Sequence, residues 1–300
     1  MFIPSYFVLR SSMRISFLKF VARHNQHPDI MIHHIDFENS EIRYSDRGAG
    51  TPVVLLHGYL ESLEIWNGFA GLLEDRFRVI CPDLPGHGKS GVHGDVHSMD
   101  LLAKGVLAVI DNSEIDKCFI VGHSMGGYSG LAFLEHFPER VSGLCLLHSH
   151  PFPDTKKTMN NRCREIVLVN QGKKELISKL NIPRAFANSN LERLKREVDR
   201  ATEIAVATPN DGIIACLMGM MERPSRTKLL REAAIPVQLI AGMHDNYIPF
   251  EEVARKVELP VNGQFVALEN SGHIGFIEEP EKTAGAIARF VTGADWHRDD

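Results

Sequence analysis

One stretch restricts the fold of this chain more than any other. An apolar run, Lys117–Val121, leads directly into Gly122-His123-Ser124-Met125-Gly126-Gly127, and a helical pattern follows from Met125 to Phe137, where Pro138 stops it. A strand that turns this sharply into a helix leaves no room for side chains where the two elements almost touch, so glycine is required at 122 and 126. The residue at the apex, Ser124, is held in a strained conformation with its hydroxyl lifted above the sheet. The first backbone N–H groups of the helix lie beside it and favour negative charge. Gly-x-Ser-x-Gly by itself is a weak signal, because small residues are common. Between a buried strand and a helix it reads as an activated serine, against the plainer reading of a structural serine in a tight turn.

The rest of the chain repeats strand, turn and helix. His33–Phe37 and Glu41–Asp46 alternate in character around Asn39-Ser40, which predicts a hairpin. Val53–His57, Arg78–Cys81, Lys117–Val121, Val141–Leu147 and Val237–Ala241 are short apolar runs of the kind buried on both faces in parallel sheets, with Gln264–Leu268 after them. Helical spacing is read over Ser62–Arg76, residues 98–112 and Glu281–Val291. This order predicts an α/β fold with a mostly parallel, doubly wound sheet that opens on an antiparallel hairpin. From Pro151 to about Ala233 the text is charged and helical and contains no buried strand; Leu191–Ala205 is its clearest amphipathic helix. The expected organisation is an N-terminal extension over 1–30, a core of 31–150 and 234–300, and a helical cap over 151–233.

Composition excludes some functions. The 33 basic and 38 acidic side chains give a formal charge of −5 with no basic stripe, which argues against nucleic acid. No run of 18 apolar residues occurs, so no stable membrane insertion is expected. The five cysteines are odd in number and include no C-x-x-C pair, which predicts free buried thiols in a reducing compartment. The first 28 residues contain no acid and carry Arg10, Arg14, Lys19 and Arg23. A secretory signal does not fit, because arginines interrupt the apolar stretch. A transit peptide fits the composition, as does a loose extension or a later start at Met31. The expected location is cytoplasmic, or organellar if residues 1–30 are a transit peptide.

Three further positions complete a constellation around Ser124. His57-Gly58-Tyr59 follows the Val53–Leu56 strand, where a turn can aim the Tyr59 N–H, alongside that of Met125, at a developing oxyanion. Asp245 stands just past one strand, in Gly242-Met243-His244-Asp245, and His273 past the next, in Ser271-Gly272-His273. Both lie at carboxyl ends of strands, where open α/β sheets place their sites. Serine needs a base to take its proton, and the base needs a carboxylate to fix its tautomer, so Ser124, His273 and Asp245 are the candidate catalytic set. Asp154 is the alternative acid. His57 reads as structural, as do Asp83 and His87 in the Pro82–Ser90 loop. His148 and Met218 are candidate substrate contacts. His148 and His150 lack a carboxylate or cysteine at ligand spacing, so no metal is expected.

Taken together, Leu55-Leu56-His57-Gly58-Tyr59, Pro82–Ser90, Val121–Gly127, Gly242–Asp245 with Ile248-Pro249, and Ser271–His273 resemble the α/β-hydrolase family, in its capped esterase, lactonase and haloperoxidase-like branch. The blocks run from about residue 41 to 291 in the family's order. The resemblance implies the α/β-hydrolase fold, a Ser124–His273–Asp245 triad, oxyanion donors at Tyr59 and Met125, and no cofactor. It implies hydrolysis of a carboxylic ester, thioester or lactone of a small to medium molecule through an acyl-enzyme. Two alternatives stand beside it: a C–C bond hydrolase of diketone-like substrates with the same triad, and a non-catalytic ligand-binding protein on the same fold. Serine at 124 sets aside dehalogenases and epoxide hydrolases, which use aspartate there. The His148–Pro153 stretch and most of the insertion depart from the family's usual text and leave specificity open. Oligomeric state is not legible in one sequence.

Overall fold

The computed structural model describes residues 30–293; the readings made for residues 1–29 lie outside them. Eight strands form one sheet in the order β1-β2-β4-β3-β5-β6-β7-β8: β1 (Met31–Phe37), β2 (Ser40–Arg47), β3 (Pro52–Leu56), β4 (Arg78–Pro82), β5 (Cys118–His123), β6 (Val141–Leu147), β7 (Val237–Gly242) and β8 (Gly263–Leu268). β2 runs antiparallel to β4, and the pairs β4–β3, β3–β5, β5–β6, β6–β7 and β7–β8 are all parallel. This is the α/β-hydrolase arrangement, a mostly parallel eight-stranded sheet flanked by helices.

Burial explains the apolar runs. Val53 to Leu56, Val79 to Cys81, Ile120 with Val121, and Leu144 to Leu147 are all fully covered, as expected for strands with helices on both faces. The edge strands β1 and β8 are partly exposed and read less cleanly. Helix α1 (Met99–Asn112) is capped by Ser98, whose side chain accepts from Leu101 N, and α2 (Met125–His136) starts at the serine turn.

Two expectations are corrected. The hairpin turns at Glu38-Asn39, one residue earlier than its sequence suggests, with Glu38 at φ 51°; Asn39 then leads straight into β2. Ser62–Arg76 is not one helix: a 3-10 turn (Leu63–Trp66) and one α-turn (Asn67–Ala70) are followed by irregular turns. Gly68 and Gly71 weaken a helix there, while the helical spacing survives because Leu63, Trp66, Phe69 and Leu73 all face the core. Trp66 is fully buried with its ring 4.2 Å from that of Phe276.

Between β6 and β7 stand α3 (Lys156–Asn170), α4 (Lys174–Ala185), α5 (Lys195–Ala207), α6 (Asn210–Glu222) and α7 (Thr227–Arg231). α5 begins four residues later than the amphipathic pattern, because Leu191–Leu194 is spent on turns after Asn188-Ser189-Asn190. α3 packs on α6 and α4 on α5. Past β7 come α8 (Phe250–Lys256) and α9 (Pro280–Thr292), which opens on proline and closes on Gly293 in the left-handed region. Cys81, Cys118, Cys145 and Cys216 are free and buried, but Cys163 is exposed on α3. Among the described residues no single helix is long and apolar enough to cross a membrane.

Candidate active site

The parallel strands deliver the candidate residues to one end of the sheet. Ser124 follows β5 directly, Tyr59 lies three residues beyond β3, Asp245 three beyond β7 and His273 five beyond β8. The backbone ladder continues past the strand ends, with Ser124 N donating to Leu147 O at 3.0 Å and His244 N to Ser271 O at 2.9 Å. These bonds tie the serine turn to β6 and the acid loop to the histidine loop.

Ser124 adopts φ 49° and ψ −112°, a conformation that L-residues rarely accept. It is tolerated because its neighbours have no side chains. A Cβ at Gly122 would strike the Gly126 carbonyl, and one at Gly126 would strike the Leu56 carbonyl. The Ser149 hydroxyl donates to the Ser124 carbonyl at 2.8 Å and braces the turn from β6. Ser124 remains partly exposed while Met125 behind it is buried.

Asp245 and His273 are joined. His273 Nδ1 lies 2.7 Å from Asp245 Oδ2, and Asp245 Oδ1 accepts from Tyr247 N and Ile248 N, each at 2.8 Å. The carboxylate is thus aimed by two backbone amides and offers its second oxygen to the ring. Burial pushes the Asp245 carboxyl up, but the His273 ring and the nearby His148 outweigh burial and hold it well below the usual carboxylate range. An ionised Asp245 fixes the proton of His273 on Nδ1 and leaves Nε2 as the basic nitrogen. The His273 backbone is fixed as well: its N–H donates to Ala185 O of the insertion at 2.6 Å, and its carbonyl faces His123 Nε2 at 2.8 Å.

The alternative acid is removed by its surroundings. Asp154 is clamped by Arg162 Nε at 2.6 Å and Arg223 Nη1 at 2.6 Å, so both its oxygens serve the insertion. His148 is also corrected as a substrate contact. It is 1 % exposed, at φ 47°, with Nε2 accepting from Gly275 N at 3.1 Å and Nδ1 lying 3.2 Å from Gly242 N and 3.7 Å from Asp245 Oδ2. Burial pushes it down to about 4, so a neutral ring braces the acid from below. Met218 is half-buried on α6. His57 is fully buried, its Nε2 accepting from Leu84 N at 2.9 Å, and Asp83 accepts from Leu63 N, Lys89 N and Arg43. Both hold loops together. His148, Asp245 and His273 present ligand atoms within 4.8 Å of one another, a spacing a metal ion could use. The hydrogen bonds just described already employ those atoms.

Several residues here escaped the sequence reading. Glu61, 6 % exposed, accepts from Gly58 N at 2.5 Å and faces His123 Nδ1 at 2.9 Å. From the insertion, Glu165 accepts from the Tyr59 hydroxyl at 2.9 Å and from Asn181 Nδ2 at 3.3 Å, and Tyr247 donates to Asn181 O at 2.8 Å. The Tyr247 ring stands 5.4 Å from that of His273. A bonded arc therefore runs from the Tyr59 loop through α3 and α4 to the Asp245 loop. A carboxylate four residues after His57 was the only hint of Glu61 in the sequence, and nothing marked Glu165.

Comparison with known proteins agrees with the fold. Residues 51–163 match the family model described as alpha/beta hydrolase fold. A thermophilic esterase from Thermogutta terrifontis superposes with a TM-score of 0.83 at 29 % identity, covering 88 % of this chain and 98 % of that one. The 3-oxoadipate enol-lactonase 2 of Acinetobacter baylyi is 26 % identical over 80 % of this chain and 88 % of its own length. A 2-hydroxy-6-oxo-6-(2'-aminophenyl)hexa-2,4-dienoic acid hydrolase from Metapseudomonas resinovorans is 27 % identical over 84 % of this chain and 88 % of its own.

Proposed function

We propose, from the premise that this chain is an α/β hydrolase with esterase- and lactonase-like relatives, that it cleaves a carboxylic ester, thioester or lactone of a small to medium molecule through an acyl-enzyme on Ser124. The observation that carries the reading is the conjunction of a serine at φ 49° between β5 and α2 with a 2.7 Å His273–Asp245 pair at the ends of neighbouring strands.

In this reading His273 Nε2 takes the Ser124 hydroxyl proton as Oγ attacks the acyl carbon. The new C–O bond pushes the carbonyl electrons onto oxygen, and that charge is received by the Tyr59 and Met125 N–H groups. One such donor is worth about 3 kcal/mol in the transition state. Collapse expels the alkoxide or thiolate, which leaves with the proton carried by His273. Water then repeats the sequence on the acyl-enzyme, losing its proton to His273 and freeing the acid and Ser124. No cofactor is required. The partner is a small-molecule substrate, consistent with a net charge of −5 and no basic stripe.

The C–C bond hydrolase remains the second reading, because a relative at 27 % identity bears the name of one. The binding-protein reading is weaker, since a binder gains nothing from a strained serine at the same end of the sheet as a histidine oriented by a carboxylate. The test is a fluorophosphonate probe with mapping of the modified residue, alongside hydrolysis of short acyl esters and of a β-diketone. Labelling is expected at Ser124 and is lost in Ser124→Ala and His273→Ala. Folded protein that is neither labelled nor active on either substrate class would overturn the proposal; diketone cleavage without ester cleavage would select the second reading.

A further inference from the structure

The buried pair Glu61 and His123 takes no part in the chemistry just described, yet it contacts both the loop that carries Tyr59 and the backbone of His273. His123 ends β5, immediately before Ser124, and is 1 % exposed. Its Nδ1 lies 2.9 Å from Glu61 Oε2 and its Nε2 lies 2.8 Å from the His273 carbonyl oxygen. Both partners are acceptors. A neutral imidazole has one N–H and serves one of them, so only an imidazolium makes both bonds. Protonating Glu61 instead would satisfy Nδ1, but Oε2 also accepts the Gly58 N–H at 2.5 Å, which favours the carboxylate. The rings of Phe276 at 5.0 Å and Trp66 at 6.4 Å wall the pair in. In such surroundings a carboxylate and an imidazolium hold each other's charge only with close geometry and further hydrogen bonds, and both are present.

Resting on the triad reading above, we propose that Glu61 and His123 form a buried ion pair that positions His273 and the oxyanion loop as one unit, both acting as positioning residues. The chain of contacts is continuous. Gly58, which precedes the donor Tyr59, hangs on Glu61; Glu61 holds His123; His123 holds the His273 carbonyl, while Ala185 O holds the His273 N–H at 2.6 Å. The close approach also explains the glycine, since a Cβ at 58 would lie 2.8 Å from His123 Nδ1 and 3.0 Å from Glu61 Oε2.

The pair has an electrostatic consequence. The His123 ring centre is 5.0 Å from that of His273, and the compensating Glu61 stands on its other nitrogen. The nearer charge is positive and stands against any second positive charge on the His273 ring. Other ionisable groups facing the pair are Asp245, whose charge favours the His123 imidazolium; His148, with its ring 6.1 Å from His123; and the buried His57, whose Nε2 accepts from Leu84 N and which is therefore neutral. The aromatic residues that complete the walls carry no charge.

The test is 15N–1H NMR of the imidazole groups in the full chain, wild type and Glu61→Gln, with ester pH–rate profiles in parallel. Wild-type His123 is expected to show two ring N–H groups across neutral pH, and Glu61→Gln to lose one. With the facing positive charge gone, the acidic limb of kcat/KM is then expected to move to higher pH. kcat should fall about tenfold with KM within about twofold, as small misplacements of a catalytic group do. Glu61→Asp, which keeps the charge, should recover part of both effects. A wild-type His123 with one ring N–H overturns the proposal without recourse to any variant. So does a Glu61→Gln protein that loses thermal stability while its pH–rate profile and kcat stay at wild-type values. Wild-type protein with the expected spectra but no hydrolysis would instead refute the esterase reading and leave the ion pair standing.

Discussion

Asp245 has one oxygen taken by the Tyr247 and Ile248 amides and the other turned to His273, whereas Asp154 spends both on Arg162 and Arg223. The same functional group therefore has separate uses, and the two aspartates should separate cleanly by mutation. Asp245→Asn keeps the shape but lets the amide favour the wrong tautomer of His273, so kcat should fall by about 10³–10⁴ with the fold intact. Asp154→Asn leaves two largely buried guanidiniums without their carboxylate, which typically costs about 3–5 kcal/mol, and should lower the unfolding midpoint while kcat stays within a few-fold of wild type. Urea unfolding and steady-state kinetics on both variants decide this; the reverse pattern would move the acid role to Asp154. The arginines that claim Asp154 lie 8 and 69 residues further along. Both aspartates follow strands in the sequence, which gives no sign of those distant partners and so does not distinguish the two acids.

The elements divide by how local their cause is. The central strands and the serine turn were legible because burial on both faces and the glycine requirement both leave their mark within a few residues. Helix spacing over Ser62–Arg76 misled, because inward-facing residues recur at three- and four-residue intervals in a series of turns as well. The arc across the site was not legible at all. Tyr59 and Glu165 are 106 residues apart, and their bond exists only because α3 is laid over the sheet. Burial raises the Glu165 carboxyl, with the Tyr59 bond acting against it, so the contact holds a group that would otherwise prefer water. Glu165→Ala cuts both the Tyr59 and Asn181 links. Amide hydrogen exchange over α3 and α4 should then speed up about tenfold, the effect of losing roughly one net hydrogen bond's worth of local stability. Unchanged exchange would mean that packing of α3 on α6 and α4 on α5 fixes these helices without the arc.

At the scale of the whole molecule, the buried histidines set how stability responds to pH. Burial pushes His97, His148 and His150 each down to about 4 and His87 well below its usual value. Between pH 6.5 and 4 the unfolded chain binds protons at these sites that the folded chain refuses, so folding free energy must be lost as pH falls through that window. For the fully buried His148, a displacement from 6.5 to about 4 corresponds to roughly 3 kcal/mol at most; the other sites add to the same slope. Glu61 and Asp245, whose pKa values are lowered, also lose their contribution on acidification, but only below the normal carboxylate range. His123 acts with the opposite sign. Burial pushes its pKa down, but the charge of Glu61 and the hydrogen bonds outweigh burial and raise it. Its contribution is therefore complete below pH 6.5 and fades as pH rises through its folded value. Stability should accordingly peak near neutrality, fall steeply from pH 6.5 to 4.5, and fall gently on the alkaline side. Urea midpoints measured every half unit from pH 4.5 to 9 test this. The alkaline decline should flatten in Glu61→Gln, where His123 no longer holds an extra proton, while the acid slope persists. A midpoint constant from pH 6.5 to 4.5 would show that these histidines accept protons in the folded chain, contrary to their burial.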